Sequence, residues 1–342
     1  MTLRFAALIS FVLGFSVASF GQTRYQAVQD PASPAEIPFK RYLTRDKLDR
    51  QISFYLSIES TEDDQRLPLI VFILGSGAHS NFIQRGGRIL DAHRILREET
   101  HGRARVLAVE KPGVAFLSQP SKNGTAIGAT PEFLREHTAT RWTEAVNAAI
   151  SAARKLPEVD VSRLLVVGHS EGSRIAARVV ATNQAVTHYA GLAGFATSRL
   201  RCFMIDRDGR RKEREQIEKV ISQWRRMLEA PDSTELFSGH TYRYWASFSS
   251  ATTLEHLLSG HASIYLSQGT RDARCAVDGF ELLQAQLFEQ GRRPMVRLIE
   301  GADHGFALQG QPDRDGWREE MMAVVNWFLA PQPESPSSTP VQ

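Results

Sequence analysis

The clearest pattern along the chain is a series of short apolar runs separated by stretches with helical spacing. Residues 67–74 read LPLIVFIL, with charge before them and Gly75-Ser76-Gly77 after. An unbroken apolar run of this length, closed by glycine, predicts a strand covered on both faces, as in a mainly parallel sheet. Residues 51–58, 105–110, 164–167, 186–193, 262–266 and 295–299 predict further strands. Between these, residues 84–100, 131–156, 174–182, 277–290 and 315–329 predict helices. The second carries Trp142, Val146, Ala149, Ile150 and Ala153 on one face, which suits packing on a sheet. Buried strands alternating with amphipathic helices predict an α/β domain over residues 39–330, with a mostly parallel central sheet flanked by helices.

The alternation lapses in residues 197–260, where strand signals are weak and Ile217, Val220, Ile221, Trp224, Met227 and Leu228 recur on one helical face. Lying between two sheet strands, this segment reads as a helical cap insertion. Tyr242, Tyr244, Trp245 and Phe248 within it either wall a substrate pocket or pack the cap. Arg199, Arg201, Arg207, Arg210, Arg211, Lys212 and Arg214 form a basic concentration, read either as a solvated loop or as a preference for acidic substrates.

The ends differ from the middle. Arg4 precedes an apolar run over residues 5–20, and Ser16, Ala18, Ser19 and Gly21 offer small residues for cleavage. This predicts a signal peptide over residues 1–21 and a periplasmic or secreted protein. Residues 22–38 read as a loose lead-in with three prolines, and residues 331–342 as a Pro/Ser-rich tail expected to be disordered. No later run is long and apolar enough to span a membrane.

Charge and cysteine content narrow the classes. Lys and Arg number 41 against 38 Asp and Glu, a net +3 that argues against a nucleic-acid partner. The two cysteines, Cys202 and Cys275, are either one disulfide or two free thiols. His93, His101, His137 and His169 lack metal-ligand spacing, and there is no phosphate-loop signature, so neither metal nor cofactor is expected.

Candidate chemistry gathers where predicted strands end, the place at which α/β sheets build ligand sites. Gly168-His169-Ser170-Glu171-Gly172 follows an apolar strand and precedes a helical pattern, the context a G-x-S-x-G nucleophile turn requires. A serine hydroxyl needs a base and an orienting carboxylate, expected downstream in the order acid, then histidine. His304, in Gly301-Ala302-Asp303-His304-Gly305-Phe306, follows the last predicted strand and is the expected base. Asp272, in Gly269-Thr270-Arg271-Asp272, is the expected acid, with Asp278 the runner-up and Asp303 disfavoured by its adjacency to His304. Acyl transfer also needs donors for the oxyanion. The backbone N–H of Glu171 is the expected first donor and that of Ser76 the second, with Gly77 as the alternative. Gly75, Gly168 and Gly172 are read as making room for tight backbone.

With these four motifs the chain resembles the α/β-hydrolase superfamily, nearest to dienelactone-hydrolase-like and prolyl-oligopeptidase-like serine hydrolases. The resemblance covers residues 66–329 and implies a Ser-Asp-His triad with an insertion roofing the pocket. Dienelactone hydrolases carry cysteine as nucleophile, where this chain has Ser170, and the valine-proline pair that often follows the acid is replaced around Cys275-Ala276-Val277. The expected function is hydrolysis of a small carboxylic ester through an acyl-enzyme. A serine peptidase or acylaminopeptidase acting on short peptides is the alternative, and an inactive binding protein the third reading.

Overall fold

The computed structural model describes residues 25–31, 37–59, 65–119, 124–194, 198–205, 210–275 and 277–331. The expected signal peptide, residues 22–24 and 32–36 of the lead-in, Arg207 and nearly all of the tail lie outside the described residues. Strands are β1 (Val28–Gln29), β2 (Phe39–Arg45), β3 (Gln51–Ser57), β4 (Leu67–Ile73), β5 (Phe82–Arg85), β6 (Arg88–Asp91) and β7 (Arg105–Val109). They continue as β8 (Val159–His169), β9 (His188–Leu192), β10 (Leu236–Phe237), β11 (His240–Thr241), β12 (Ser263–Gly269) and β13 (Met295–Ile299). Helices are α1 (Arg94–Thr100), α2 (Pro131–Glu136), α3 (Ala139–Ala153), α4 (Glu171–Thr182) and α5 (Arg199–Met204). After these come α6 (Arg214–Glu229), α7 (Tyr242–Phe248), α8 (Thr253–Leu258), α9 (Val277–Glu289) and α10 (Gly316–Leu329). No described helix is long and apolar enough to cross a membrane.

Nine strands make one sheet in the order β1-β2-β3-β7-β4-β8-β9-β12-β13. The pairs from β1 to β7 are antiparallel, and all the rest are parallel. Successive side chains on a strand point to opposite faces. On β4, Leu69, Val71 and Ile73 therefore enter one core with α3 and α4, while Ile70 and Phe72 enter the other with α10. Leu164 and Val166 of β8 split from Leu165 and Val167 in the same way. Both faces are covered, which is why these strands read as continuous apolar runs rather than alternating ones.

Several expectations need correction. Residues 84–100 are not one helix. β5 and β6 form a hairpin in which Arg85 pairs with Arg88, leaving Gly86-Gly87 as a two-residue turn. Both glycines have positive φ, +57° and +73°, the conformation that such a turn demands and that glycine adopts without strain. Only residues 94–100 of the stretch are helical. The helix expected over 131–156 is two, because Thr138 is extended and caps α3, its side chain accepting from the Arg141 N–H. The lead-in is not wholly loose either, since β1 pairs with β2 at the sheet edge, and β2 itself gave no clear signal.

The segment between β9 and β12 carries α5 to α8 and the small β10–β11 hairpin, a largely helical cap-like insertion. Ile217, Trp224 and Met227 of α6 face inward, but Leu228 is exposed. Tyr242, Tyr244, Trp245 and Phe248 are all buried and join the core on the α3 and α4 face, so they pack the cap rather than stand open as pocket walls.

Candidate active site

β4 is the strand at which the chain reverses its direction of growth: β7 lies on one side and β8 on the other. Such a switch point opens a crevice at the carboxyl ends of the strands. The parallel register pairs Ile73 with Gly168, so the loop opening at Gly75 comes to lie beside Ser170. A Cβ built on Gly75 would stand 3.3 Å from that of Ser170. At the other end of the parallel run, Gly269 pairs with Ile299, which brings together the loops after β12 and β13.

Ser170 has φ 56° and ψ −120°, a left-handed, strained conformation for a residue with a side chain. Its N–H donates to the Leu192 carbonyl (2.9 Å), while its own carbonyl accepts from the Ser173 N–H (3.1 Å) and hydroxyl (2.7 Å). The bend depends on its glycines. A Cβ on Gly168 would fall 2.2 Å from the Gly172 carbonyl oxygen, and one on Gly172 would fall 2.1 Å from that of Ile73. Gly172→Ala is accordingly expected to cost about 2–3 kcal/mol by forcing α4 away from β4. A drop in the midpoint of urea unfolding at unchanged m checks this; an unshifted midpoint would refute it.

Three residues from separate loops form one hydrogen-bonded chain. His304 Nε2 lies 2.9 Å from Ser170 Oγ, and His304 Nδ1 lies 2.8 Å from Asp272 Oδ2. The Asp272 side chain is fully buried, whereas that of His304 is 18% exposed. Asp272 Oδ1 accepts from the N–H groups of Arg274 (2.8 Å) and Cys275 (2.9 Å), and Oδ2 also accepts from Gln268 Nε2 (2.7 Å). Four donors thus converge on one carboxylate and orient it. The other acids are engaged elsewhere. Asp278 pairs with Arg201, and Asp303 accepts from the N–H groups of Gly305 and Ala307 (both 2.9 Å).

Sequence reasoning did not find the supporting residues. His169 Nε2 donates to the His304 carbonyl at 2.9 Å, and burial pushes the His169 imidazole down to about 4, which keeps it neutral. Lys111 and His137, both buried, lie beside the nucleophile turn. The Glu171 carboxylate is buried too and accepts from His137 Nε2 (3.2 Å) and from the Tyr244 hydroxyl of α7. Burial opposes ionisation of Glu171, but the His137 hydrogen bond, with the charges of His137, His240 and Lys111, outweighs it and holds its pKa well below the usual carboxylate range. The signal that could have pointed here was Glu110-Lys111, two charged residues directly after the apolar run of residues 106–109.

Cys202 and Cys275 are both free thiols, so the disulfide reading is not realised in the structure. Cys275 is buried, which pushes its thiol well above the ordinary value. Its sulfur, the Asp272 carboxylate and a His304 ring nitrogen lie within 4.8 Å of one another. Part of the basic concentration is paired at the surface: Arg201 with Asp278 and Arg214 with Glu218, while Lys212 Nζ donates to the Phe203 carbonyl.

Fold and site together define an α/β-hydrolase-fold serine hydrolase. Within that class the chain belongs to the prolyl oligopeptidase family, whose sequence model matches residues 132–330, more than half of its length. No curated protein is significantly similar in sequence. Among solved structures, an acylaminoacyl peptidase of Pyrococcus horikoshii is 15% identical with a TM-score of 0.57, covering 87% of this chain and 43% of that one. Est1E from Butyrivibrio proteoclasticus, solved with ferulic acid bound, is 16% identical with a TM-score of 0.55, covering 81% and 94%. A hypothetical protein of Pseudomonas aeruginosa is 14% identical with a TM-score of 0.58, covering 95% and 100%. At these identities the likeness is one of fold, and this chain spans less than half of the acylaminoacyl peptidase.

Proposed function

We propose that this chain hydrolyses acyl substrates with Ser170 as nucleophile, His304 as general base and Asp272 as the orienting acid. The observation that carries the reading is the unbroken chain from Ser170 Oγ through both ring nitrogens of His304 to the buried Asp272 carboxylate. Ser170 Oγ attacks the substrate carbonyl and its proton passes to His304 Nε2. Asp272, accepting from Nδ1–H, holds the ring in the tautomer whose Nε2 is free and stabilises the imidazolium that forms. The N–H groups of Glu171 and Ser76 receive the oxyanion. Among the described residues neither N–H has a hydrogen-bond partner, consistent with donors held ready for a ligand. His304 then protonates the leaving group, an acyl-enzyme remains, and water deprotonated by His304 releases the acid and restores Ser170.

Of the two substrate readings, cleavage of amides in short peptides or acylaminoacyl compounds has more support than ester hydrolysis. The supporting finding is the family itself, joined by the fold shared with the acylaminoacyl peptidase. Steady-state kcat/KM on N-acylaminoacyl p-nitroanilides, short peptides and p-nitrophenyl esters tests it. Amide turnover comparable to that of the matched acyl ester is expected. Rapid ester turnover with negligible amide cleavage would return the assignment to a carboxylesterase.

A further inference from the structure

The loop after β4 follows directly on a buried strand end, and two consecutive side chains after β7 hold it. Lys111 is only 3% exposed, yet it carries an ammonium. Its Nζ donates to the Gly75 carbonyl at 2.5 Å and to the Gly77 carbonyl at 2.7 Å. Glu110, likewise buried, accepts from the Ser80 hydroxyl (2.6 Å), the Asn81 N–H (3.2 Å) and the Asn81 side-chain amide (3.1 Å). One side chain therefore grips the start of the loop and its neighbour grips residues 80 and 81.

The direction of the Lys111 bonds matters. No described peptide bond is cis, and in a trans peptide the carbonyl and the following N–H point opposite ways. Drawing the Gly75 carbonyl inward to Lys111 turns the Ser76 N–H outward, on a loop whose first residue abuts Ser170. Holding the Gly77 carbonyl on the same ammonium brackets Ser76 from its other side. Gly77 has φ +110°, and that backbone is strained for any other residue. The arrangement is costly in isolation. Burial pushes the Lys111 ammonium down to about 8, while the charges of Glu171 and Glu110 work to raise it again, and the Trp142 ring lies 5.0 Å from Nζ. A buried charge with two carbonyl acceptors beside a nucleophile is hard to explain as packing alone, because an apolar side chain would fill the space without the desolvation penalty.

We infer that Lys111 is a positioning residue for the oxyanion hole, aiming the Ser76 N–H at the transition state through the Gly75 and Gly77 carbonyls. The inference rests on the Ser170 acyl-transfer reading above. It assigns Lys111 no contact with substrate, so its loss acts on the charged transition state and not on ground-state binding.

The test is Lys111→Met, which keeps the length of the side chain and removes the ammonium. The expected result is a fall in kcat of about 100-fold, the scale of one lost oxyanion donor, with KM little changed. Affinity for a trifluoromethyl ketone, which forms an anionic hemiketal on the serine, should fall by about the same factor. Lys111→Arg, which retains charge and donors, should recover part of both. A folded Lys111→Met enzyme with wild-type kcat and wild-type ketone affinity would overturn the inference, as would a loss confined to KM. Should Lys111→Met not fold, Lys111→Gln, uncharged and with a single amide donor group, is read by the same two measurements and the same criteria. Fluorophosphonate labelling of the wild type separates this from the underlying reading. If the label is not on Ser170 the acyl-transfer assignment itself fails, whereas labelling at Ser170 with an unaffected Lys111 variant removes only the role of Lys111.

Discussion

Replacing Ser170 with alanine is expected to lower kcat by about 10⁶-fold and to abolish fluorophosphonate labelling. The size of the effect follows from the arrangement. Ser170 Oγ is the group that His304 Nε2 meets at 2.9 Å, and alanine leaves that ring with no proton to accept from a nucleophile. The surrounding backbone should persist, because the bend at φ 56° is made by hydrogen bonds of the Ser170 main chain and by the flanking glycines, not by the hydroxyl. Unfolding by urea should therefore be close to that of the wild type, which separates a chemical loss from a structural one. A variant retaining activity within about 100-fold of wild type, after titration to exclude contaminating enzyme, would place the nucleophile elsewhere.

Asp272→Asn is expected to lower kcat by about 10⁴-fold with little change in fold, and the hydrogen bonds around the carboxylate say why. Oδ1 accepts two backbone N–H groups, so the asparagine carbonyl oxygen must sit there. The amide nitrogen is then forced to the Oδ2 position, facing the Gln268 amide donor and His304 Nδ1. A donor opposite Nδ1 favours the tautomer protonated at Nε2, and that ring cannot take the Ser170 proton. Nitrogen-15 shifts of His304 should report the switched tautomer, and rate measurements the loss. Activity within about tenfold of wild type would remove Asp272 from the triad and reopen the choice of acid.

How far the site could be read in advance depended on how local each signal was. The strand over residues 67–74 and the Gly168–Gly172 motif announced themselves, since burial on both faces demands continuous apolar residues and the turn demands glycine. Ser170, Asp272 and His304 each lie just beyond a parallel strand, so their proximity followed once the strands were placed side by side. Residues 84–91 read as helix because charged and polar side chains obscure a short hairpin, although Gly86-Gly87 is the turn that makes it. The basic run early in the cap read as a solvated loop or as a preference for acidic substrates; Arg201 and Arg214 form exposed ion pairs with Asp278 and Glu218.

The placement of the candidate triad was thus largely written into the order of residues: a glycine-flanked serine turn, an acid and a histidine, each at a strand end. Local patterns suffice there because the backbone geometry and the reacting groups are short-range requirements. What depended on the folded molecule was everything involving partners distant in sequence. Lys111 reaches back to Gly75 and Gly77, His169 holds the loop of His304, and Tyr244 of the cap reaches Glu171 beside the nucleophile. A buried charge shows its purpose only through the groups that neutralise it, and those groups meet only when the sheet order brings their strands together.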